Sequence, residues 1–195
     1  MNKKLLMAIA LQSVFSGHIL ANQENDTQID KNYQQASNVY FGDTHLHTRL
    51  SGDARGYGLT LGPEQAYRVA LGEEMISTTG QKVKLGLPLD FLVVADHTVG
   101  IGIMDEIING NSELIINPLV NKWHLMLKKG GRSAFMAVKE ITNAQGRGEL
   151  PESLNNNLKI TGITWKNYID AAEKYNDPGK FTALLGFEWT AMRKG

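Results

Sequence analysis

Leu89 to Ala95, reading Leu-Asp-Phe-Leu-Val-Val-Ala, is an almost unbroken apolar run of strand length. Such a run suits a parallel strand buried on both faces. Phe181 to Phe187 repeats the pattern, and the pair Val39-Tyr40 opens a third strand through Phe41-Gly42-Asp43-Thr44-His45-Leu46-His47-Thr48. Helical periods lie between the strands. Pro63 stands where a helix starts, with Glu64 in the first turn and Ala66, Tyr67, Ala70 and Leu71 at helical spacing. Trp165, Tyr168, Ile169 and Ala172 recur at i, i+3, i+4 and i+7, which predicts an amphipathic helix capped by Thr164 and stopped by Asn176-Asp177-Pro178-Gly179. Pro118 to Lys129 and Ser133 to Ala144 are predicted as two further helices. Ile107, Ile108 and Leu114 to Ile116 mark apolar turns, and Gly146 to Asn157 reads as a solvated connection. Arg49 to Gly62, with four glycines, is predicted as a loop leaving the first strand. Gly72 to Leu87 reads as a turn and a short excursion with Thr79-Gly80 at a hairpin tip. The alternation describes an α/β chain.

The first 38 residues stand apart from that pattern. Asn2-Lys3-Lys4 is a short basic start, Leu5 to Leu20 is largely apolar, and Ala21 is a small residue suited to signal-peptidase cleavage before Asn22-Gln23-Glu24-Asn25. Residues 1–21 are therefore expected to be a secretory signal, and residues 22–38, polar and poor in large apolar side chains, a flexible leader. Gln12, Ser13, Ser16, Gly17 and His18 interrupt the apolar part and leave it too short and too polar for a membrane span. The alternative is an amphipathic first helix of the domain. A periplasmic or secreted protein fits the leader.

With 195 residues, 42% hydrophobic and 21% charged, the chain has the composition of an ordinary globular protein with one domain. Twenty basic and twenty acidic residues balance, so no strong field draws it to nucleic acid or an anionic membrane, and a small-molecule partner is the default. The absence of cysteine rules out a disulfide framework and a lipid anchor at the cleavage point.

The candidate chemistry sits at the strand ends. In an extended strand alternate side chains share one face about 6 to 7 Å apart, so Asp43, His45 and His47 point together. Two imidazoles so spaced can close on one divalent ion, and a carboxylate two residues earlier is placed to orient an imidazole. His-x-His also occurs by chance. Asp96 and His97 follow the second strand directly, where barrel and doubly wound folds gather their chemistry; as a bland alternative, Asp96 caps the next segment and His97 is merely exposed. Glu188 ends the third strand. His124, alone on a helix between Trp123 and Leu125, reads as a packing or surface residue. In a parallel sheet the three ends lie side by side, and residues far apart in sequence meet in one cleft.

These motifs resemble the PHP (polymerase and histidinol phosphatase) superfamily, with its Asp-x-His-x-His-Thr, Thr/Ala-Asp-His and Gly-x-Glu. Asp43-Thr44-His45-Leu46-His47-Thr48, Ala95-Asp96-His97 and Gly186-Phe187-Glu188 match in order. More closely the chain resembles the DUF3604 family, through Tyr40-Phe41-Gly42-Asp43, Leu89 to His97, and Tyr175-Asn176-Asp177-Pro178-Gly179-Lys180-Phe181 with Gly186 to Thr190. The resemblance implies a distorted (β/α)7 barrel holding two or three divalent ions, commonly zinc, manganese or iron, with phosphoester hydrolysis as the usual chemistry. It makes His45, His47 and His97 ligands, Glu188 a ligand able to bridge two ions and a catalytic residue, and Asp43 a supporting carboxylate. Asp53 is a candidate ligand, although Gly52 separates it from Ser51 where much of the superfamily has Ser-Asp. Asp96 is expected behind the ligands or facing substrate, and is the second catalytic candidate. The superfamily also needs histidines and an Asp-x-His from later strands, so the chain is expected to be the N-terminal portion of a larger barrel.

The function so implied is that of an exported metal-dependent hydrolase of small anionic esters, in which ions activate water and no protein nucleophile is needed. The lack of cysteine and of a Gly-x-Ser-x-Gly elbow agrees. Arg49 and Arg55 are placed either to meet an anionic substrate or to lie solvated at the surface. The competing reading is a non-catalytic metal-binding remnant of such an enzyme.

Overall fold

A computed structural model describes residues 38–155 and 157–191. The signal segment and the leader as far as residue 37 lie outside the described residues. The order is β1 (Gly42–Leu46), α1 (Gly52–Gly56), α2 (Pro63–Ala70), β2 (Met75–Ile76), β3 (Lys82–Val83), β4 (Phe91–Val94), α3 (Ile103–Asn109), α4 (Ser112–Ile115), α5 (Pro118–Lys129), α6 (Gly131–Arg147), α7 (Leu158–Tyr175) and β5 (Thr182–Leu185). This is a mixed α/β fold. Its main sheet has the order β1-β4-β5, all parallel, and β2 and β3 form a separate antiparallel hairpin. No helix among the described residues is long and apolar enough to cross a membrane.

β4 is the central strand, with Leu92 and Val94 buried on one face and Phe91 and Val93 only partly buried on the other, so the burial on both faces that its apolar run predicts is complete on one face alone among the described residues. Its register with β5 is regular from Phe91–Thr182 to Val94–Leu185, whereas its register with β1 shifts between Asp43 and Leu46. Beneath the sheet, Tyr67 of α2 and Tyr168 and Ala172 of α7 pack with Leu92, Val94, Phe181 and Ala183 into one apolar cluster. Each large side chain buried there contributes about 1.5 to 3 kcal/mol. The Tyr168 hydroxyl donates to the Val94 carbonyl and lies 3.0 Å from that of Gly186. It thereby ties β4 to the segment that leads to Glu188.

The second apolar cluster is helical but for Leu154, with Ile107, Leu114, Val120, Trp123, Ala137 and Ile141 among its members. Two of its helices, α4 and α5, begin on asparagine caps: Asn111 accepts from the Glu113 amide and Asn117 from those of Leu119 and Val120, with Pro118 at the first helical position. Gly130, at φ +72°, turns the chain between α5 and α6. Two contacts fasten α1 to the helical layer. Arg55 Nε donates to Asp105 Oδ1 at 2.6 Å, with both side chains only 12% exposed, and Gly56 lies so close to α6 that a Cβ there would come 2.5 Å from Val138 Cγ2.

The helix expected to be capped by Thr164 is capped seven residues earlier by Asn157, whose Oδ1 accepts from the Ile160 amide. Gly162 and the β-branched residues around it hide the extra turns, and propensity yields there to packing. Thr164 lies inside the helix against Gly102, where a Cβ would meet its Oγ1 at 2.5 Å. The apolar turns around Ile107 and Leu114 are helices α3 and α4, separated by Gly110 at φ +76°. Each is too short to display a period. The glycine-rich loop after β1 contains the short helix α1.

Candidate metal centre

The three sheet strands end at one edge, and the residues just beyond them converge. Ala95 donates its amide to the Leu46 carbonyl, Glu188 to that of Asp96, and Thr98 to that of Glu188. His97 and Glu188 are therefore paired side by side as a parallel bridge beyond the sheet proper. Across from them β1 delivers its histidines. His45 Nε2 and His47 Nε2 each lie 2.8 Å from Glu188 Oε2 and 3.1 Å from one another. On the other side of its ring, His47 Nδ1 lies 3.1 Å from Asp53 Oδ2. His97 Nε2 lies 3.7 Å from both Asp53 Oδ2 and Glu188 Oε2. Five of the residues singled out in the sequence, His45, His47, Asp53, His97 and Glu188, thus form one cluster, in two groupings that share His47.

Three neighbouring hydroxyls hold this arrangement. The Ser51 hydroxyl, fully buried, donates to Asp53 Oδ1 at 2.5 Å and accepts from the His97 amide at 3.2 Å. Thr190 Oγ1 lies 2.6 Å from His97 Nδ1, leaving Nε2 to face the carboxylates. Thr48 gives both its amide and its hydroxyl to Asp96. None of the three was singled out as a functional residue from the sequence, although Thr48 follows His47, Ser51 stands two before Asp53 and Thr190 two after Glu188. In an extended segment a spacing of two puts side chains on the same face, and that was the available signal.

Asp96 and Asp43 stand outside the cluster and support it. Asp96 is fully buried, and both its oxygens are taken by Thr48. Of the two places expected for it, it takes the one behind the clustered side chains, where it fastens the end of β1 to the end of β4. Burial holds its carboxyl above the usual range in spite of the Thr48 bonds. Asp43 Oδ1 accepts from the His45 amide at 2.8 Å, so it braces the irregular end of β1 through the backbone and not through an imidazole. Arg55 differs from both readings given it, being held in its buried pair with Asp105. Arg49 has its side chain 41% exposed and its Nε 3.7 Å from the same carboxylate. His124 Nδ1 lies 2.7 Å from the Ile107 carbonyl, fastening α5 to α3.

The donor set fits a divalent cation. Three atoms at mutual distances of 2.8, 2.8 and 3.1 Å leave a point about 2.1 Å from all of them, the bond length that zinc takes to imidazole and carboxylate. His47 can serve one ion through Nε2 while giving its Nδ1 proton to Asp53, the carboxylate–histidine–metal pattern. The carboxylates are held as anions. Hydrogen bonding from His45 lowers the Glu188 carboxyl, with His97 and His47 adding to it. For Asp53, burial acts upward but is outweighed by the Ser51 hydroxyl, the Ala54 amide, His47 and His97, and its carboxyl also lies below the usual range.

No curated protein and no solved structure matches this chain. One family model, described as a protein of unknown function (DUF3604), matches residues 34–195. That span contains every strand, every helix and all five clustered side chains described above, and the chain accordingly belongs to the DUF3604 family.

Proposed function

We propose that the protein is a metal-dependent hydrolase of small phosphoesters, built on a PHP-type fold and exported from the cytoplasm. What supports this reading above all is the convergence of His45 Nε2, His47 Nε2 and Glu188 Oε2 within 3.1 Å of one another from strand ends more than 140 residues apart in sequence. A neutral imidazole pair beside a carboxylate held as an anion is a donor set for zinc, manganese or iron. His45, His47 and Glu188 would hold one ion. Asp53 and His97 would hold a second, with Glu188 within reach of His97 as a shared carboxylate. Such ions would supply Lewis acidity toward a water and toward the anionic oxygens of the substrate.

The chain's own residues prepare that chemistry. Asp53 takes the Nδ1 proton of His47 and so fixes the tautomer whose Nε2 lone pair faces Glu188. Thr190 does the same for His97 from the opposite side of its ring. Ser51 locks Asp53 to the His97 backbone, so the two groupings move as one body. Asp96 acts as a positioning residue through Thr48. The direct test is turnover of 4-nitrophenyl phosphate and bis(4-nitrophenyl) phosphate by protein reconstituted with zinc, manganese or iron. The reading expects metal-dependent release of nitrophenol that is abolished by Glu188→Gln.

A second reading, a metal-binding protein without turnover, draws on His47 being common to both groupings, since a neutral imidazole serves one ion well. Bound metal without turnover in folded protein would favour it. Export rests on the basic start, apolar stretch and Ala21 of the first 21 residues; a mature protein whose first residue is Asn22 is the expected product.

A further inference from the structure

Between the metal-ligand cluster and the helical layer lies a cavity of about 400 Å³, within the roughly 300 to 1,000 Å³ typical of small-molecule sites. Three of the residues that line it are chain neighbours of cluster residues: Gly52 precedes Asp53, Thr98 follows His97 and Trp189 follows Glu188. Adjacent residues are about 3.8 Å apart at Cα, so the cavity lies beside the cluster, although none of the five clustered side chains lines it. Its lining joins apolar Ile107, Ile141 and Leu154 of the helical core with neutral polar Thr98, Gln145 and Thr161. Among the described residues, none that lines it carries a charge. A larger crevice of about 520 Å³ runs past Arg49, Asp105 and Lys159, but it touches no chain neighbour of Asp53, His97 or Glu188.

Two details describe the part of the lining next to the cluster residues. A Cβ built on Gly52 meets nothing within 4 Å. Trp189, 73% exposed, leaves a large indole in water beside Glu188, and an exposed aromatic at the mouth of an apolar pocket is a surface that a ligand would cover. An uncharged, largely apolar wall beside a cationic centre sorts a substrate into two parts: the anionic ester group stays with the ligands, and a neutral carbon skeleton enters the cavity.

Resting on the hydrolase reading above, we propose that this cavity seats the leaving alcohol of the phosphoester, and that the preferred substrates are monoesters of compact aryl or branched alkyl alcohols. In the hydrolysis a water oxygen bonds to phosphorus, the phosphorus–oxygen bond to the alcohol breaks, and one water proton ends on the alcohol oxygen. The cavity binds that alcohol's apolar part throughout.

The test compares calorimetric binding of 1-naphthylmethylphosphonate and methylphosphonate, neither of which can be hydrolysed, to the zinc-loaded full chain. The expected result is that the naphthyl compound binds at least about tenfold more tightly, through the apolar area it buries. Gly52→Leu, which fills the part of the lining beside the cluster, and Trp189→Ala, which strips the mouth at an exposed position, each remove most of that preference while zinc content is kept. Equal affinities, or a preference that survives both substitutions, would overturn the proposal. 1-Naphthol on metal-stripped protein separates the two readings. If it binds and both phosphonates fail on the zinc-loaded chain, the apolar site stands and the phosphoester reading falls. If both phosphonates bind equally and 1-naphthol does not bind, the metal centre stands and the cavity proposal falls.

Discussion

Beneath the sheet, Tyr67, Leu92, Val94, Tyr168 and Phe181 pack under strand ends that carry His45, His47, His97 and Glu188, whereas among the described residues the helical cluster around Trp123 carries no grouping of candidate metal ligands. The polar bonds of the two regions differ accordingly. In the sheet region they run from strand to strand: the Tyr168 hydroxyl reaches two carbonyls, and Asp96 binds Thr48 across the gap between β4 and β1. In the helical region they run from helix to helix, as when Trp123 Nε1 donates to Glu140 Oε2 at 2.9 Å. One core carries the strand ends on which the clustered groups stand, and the other supplies bulk and stability. A scaffold with its chemistry at strand ends is the general solution for parallel sheets.

Substitutions in the two cores separate these roles. Trp123→Ala, at a residue only 2% exposed, should cost about 4 kcal/mol in urea unfolding and leave metal content per folded molecule unchanged. A loss of metal in that variant would erase the distinction between the cores. Asp96→Ala should cost about 3 kcal/mol, because it leaves the amide and hydroxyl of Thr48 buried without a partner, and here metal content should fall together with stability. Tyr168→Phe removes one hydroxyl and keeps the ring, for about 1 to 2 kcal/mol. It sharpens the comparison if the ligand affinity weakens as well, through the carbonyl of Gly186.

The smallest effect belongs to the helical surface. The Glu140 carboxyl is lowered from its ordinary value of 4.5 by a hydrogen bond from Lys122 and then by that from Trp123. Its contribution is present above pH 4.5 and is lost as pH falls through the folded-state value. With the Glu140 side chain 36% exposed, screening keeps it below about 1 kcal/mol. Glu140→Gln should flatten the acid limb of the stability curve by that amount without moving the metal-binding curve.

The same contrast explains what could be read from the sequence. Strands β4 and β5 and helices α2 and α5 were legible because an apolar run, or a proline at a helix start, leaves a local signature, although β5 buries only Ala183. The candidate ligands His45, His47, His97 and Glu188 were legible because each stands at or just past a strand end, whereas Asp53, inside α1, was legible through its motif alone. The start of α7 was not, since Asn157 reads as one more loop asparagine until its side chain is seen on the Ile160 amide. The burial of Asp96 was equally hidden: its partner Thr48 lies 48 residues away, and only the register of β1 against β4 brings them together. Nor could the fate of Arg55 be read, because Asp105 sits on a helix whose place depends on the whole helical layer.

The central claim is that three side chains from distant segments, His45, His47 and Glu188, hold a divalent cation. Metal analysis of dialysed protein, wild type beside His47→Ala, tests it most directly. The account expects at least one tightly held divalent ion per chain in the wild type and a drop of about tenfold or more in the variant, with the helical content of both unchanged. Equal metal content in the two proteins would contradict it.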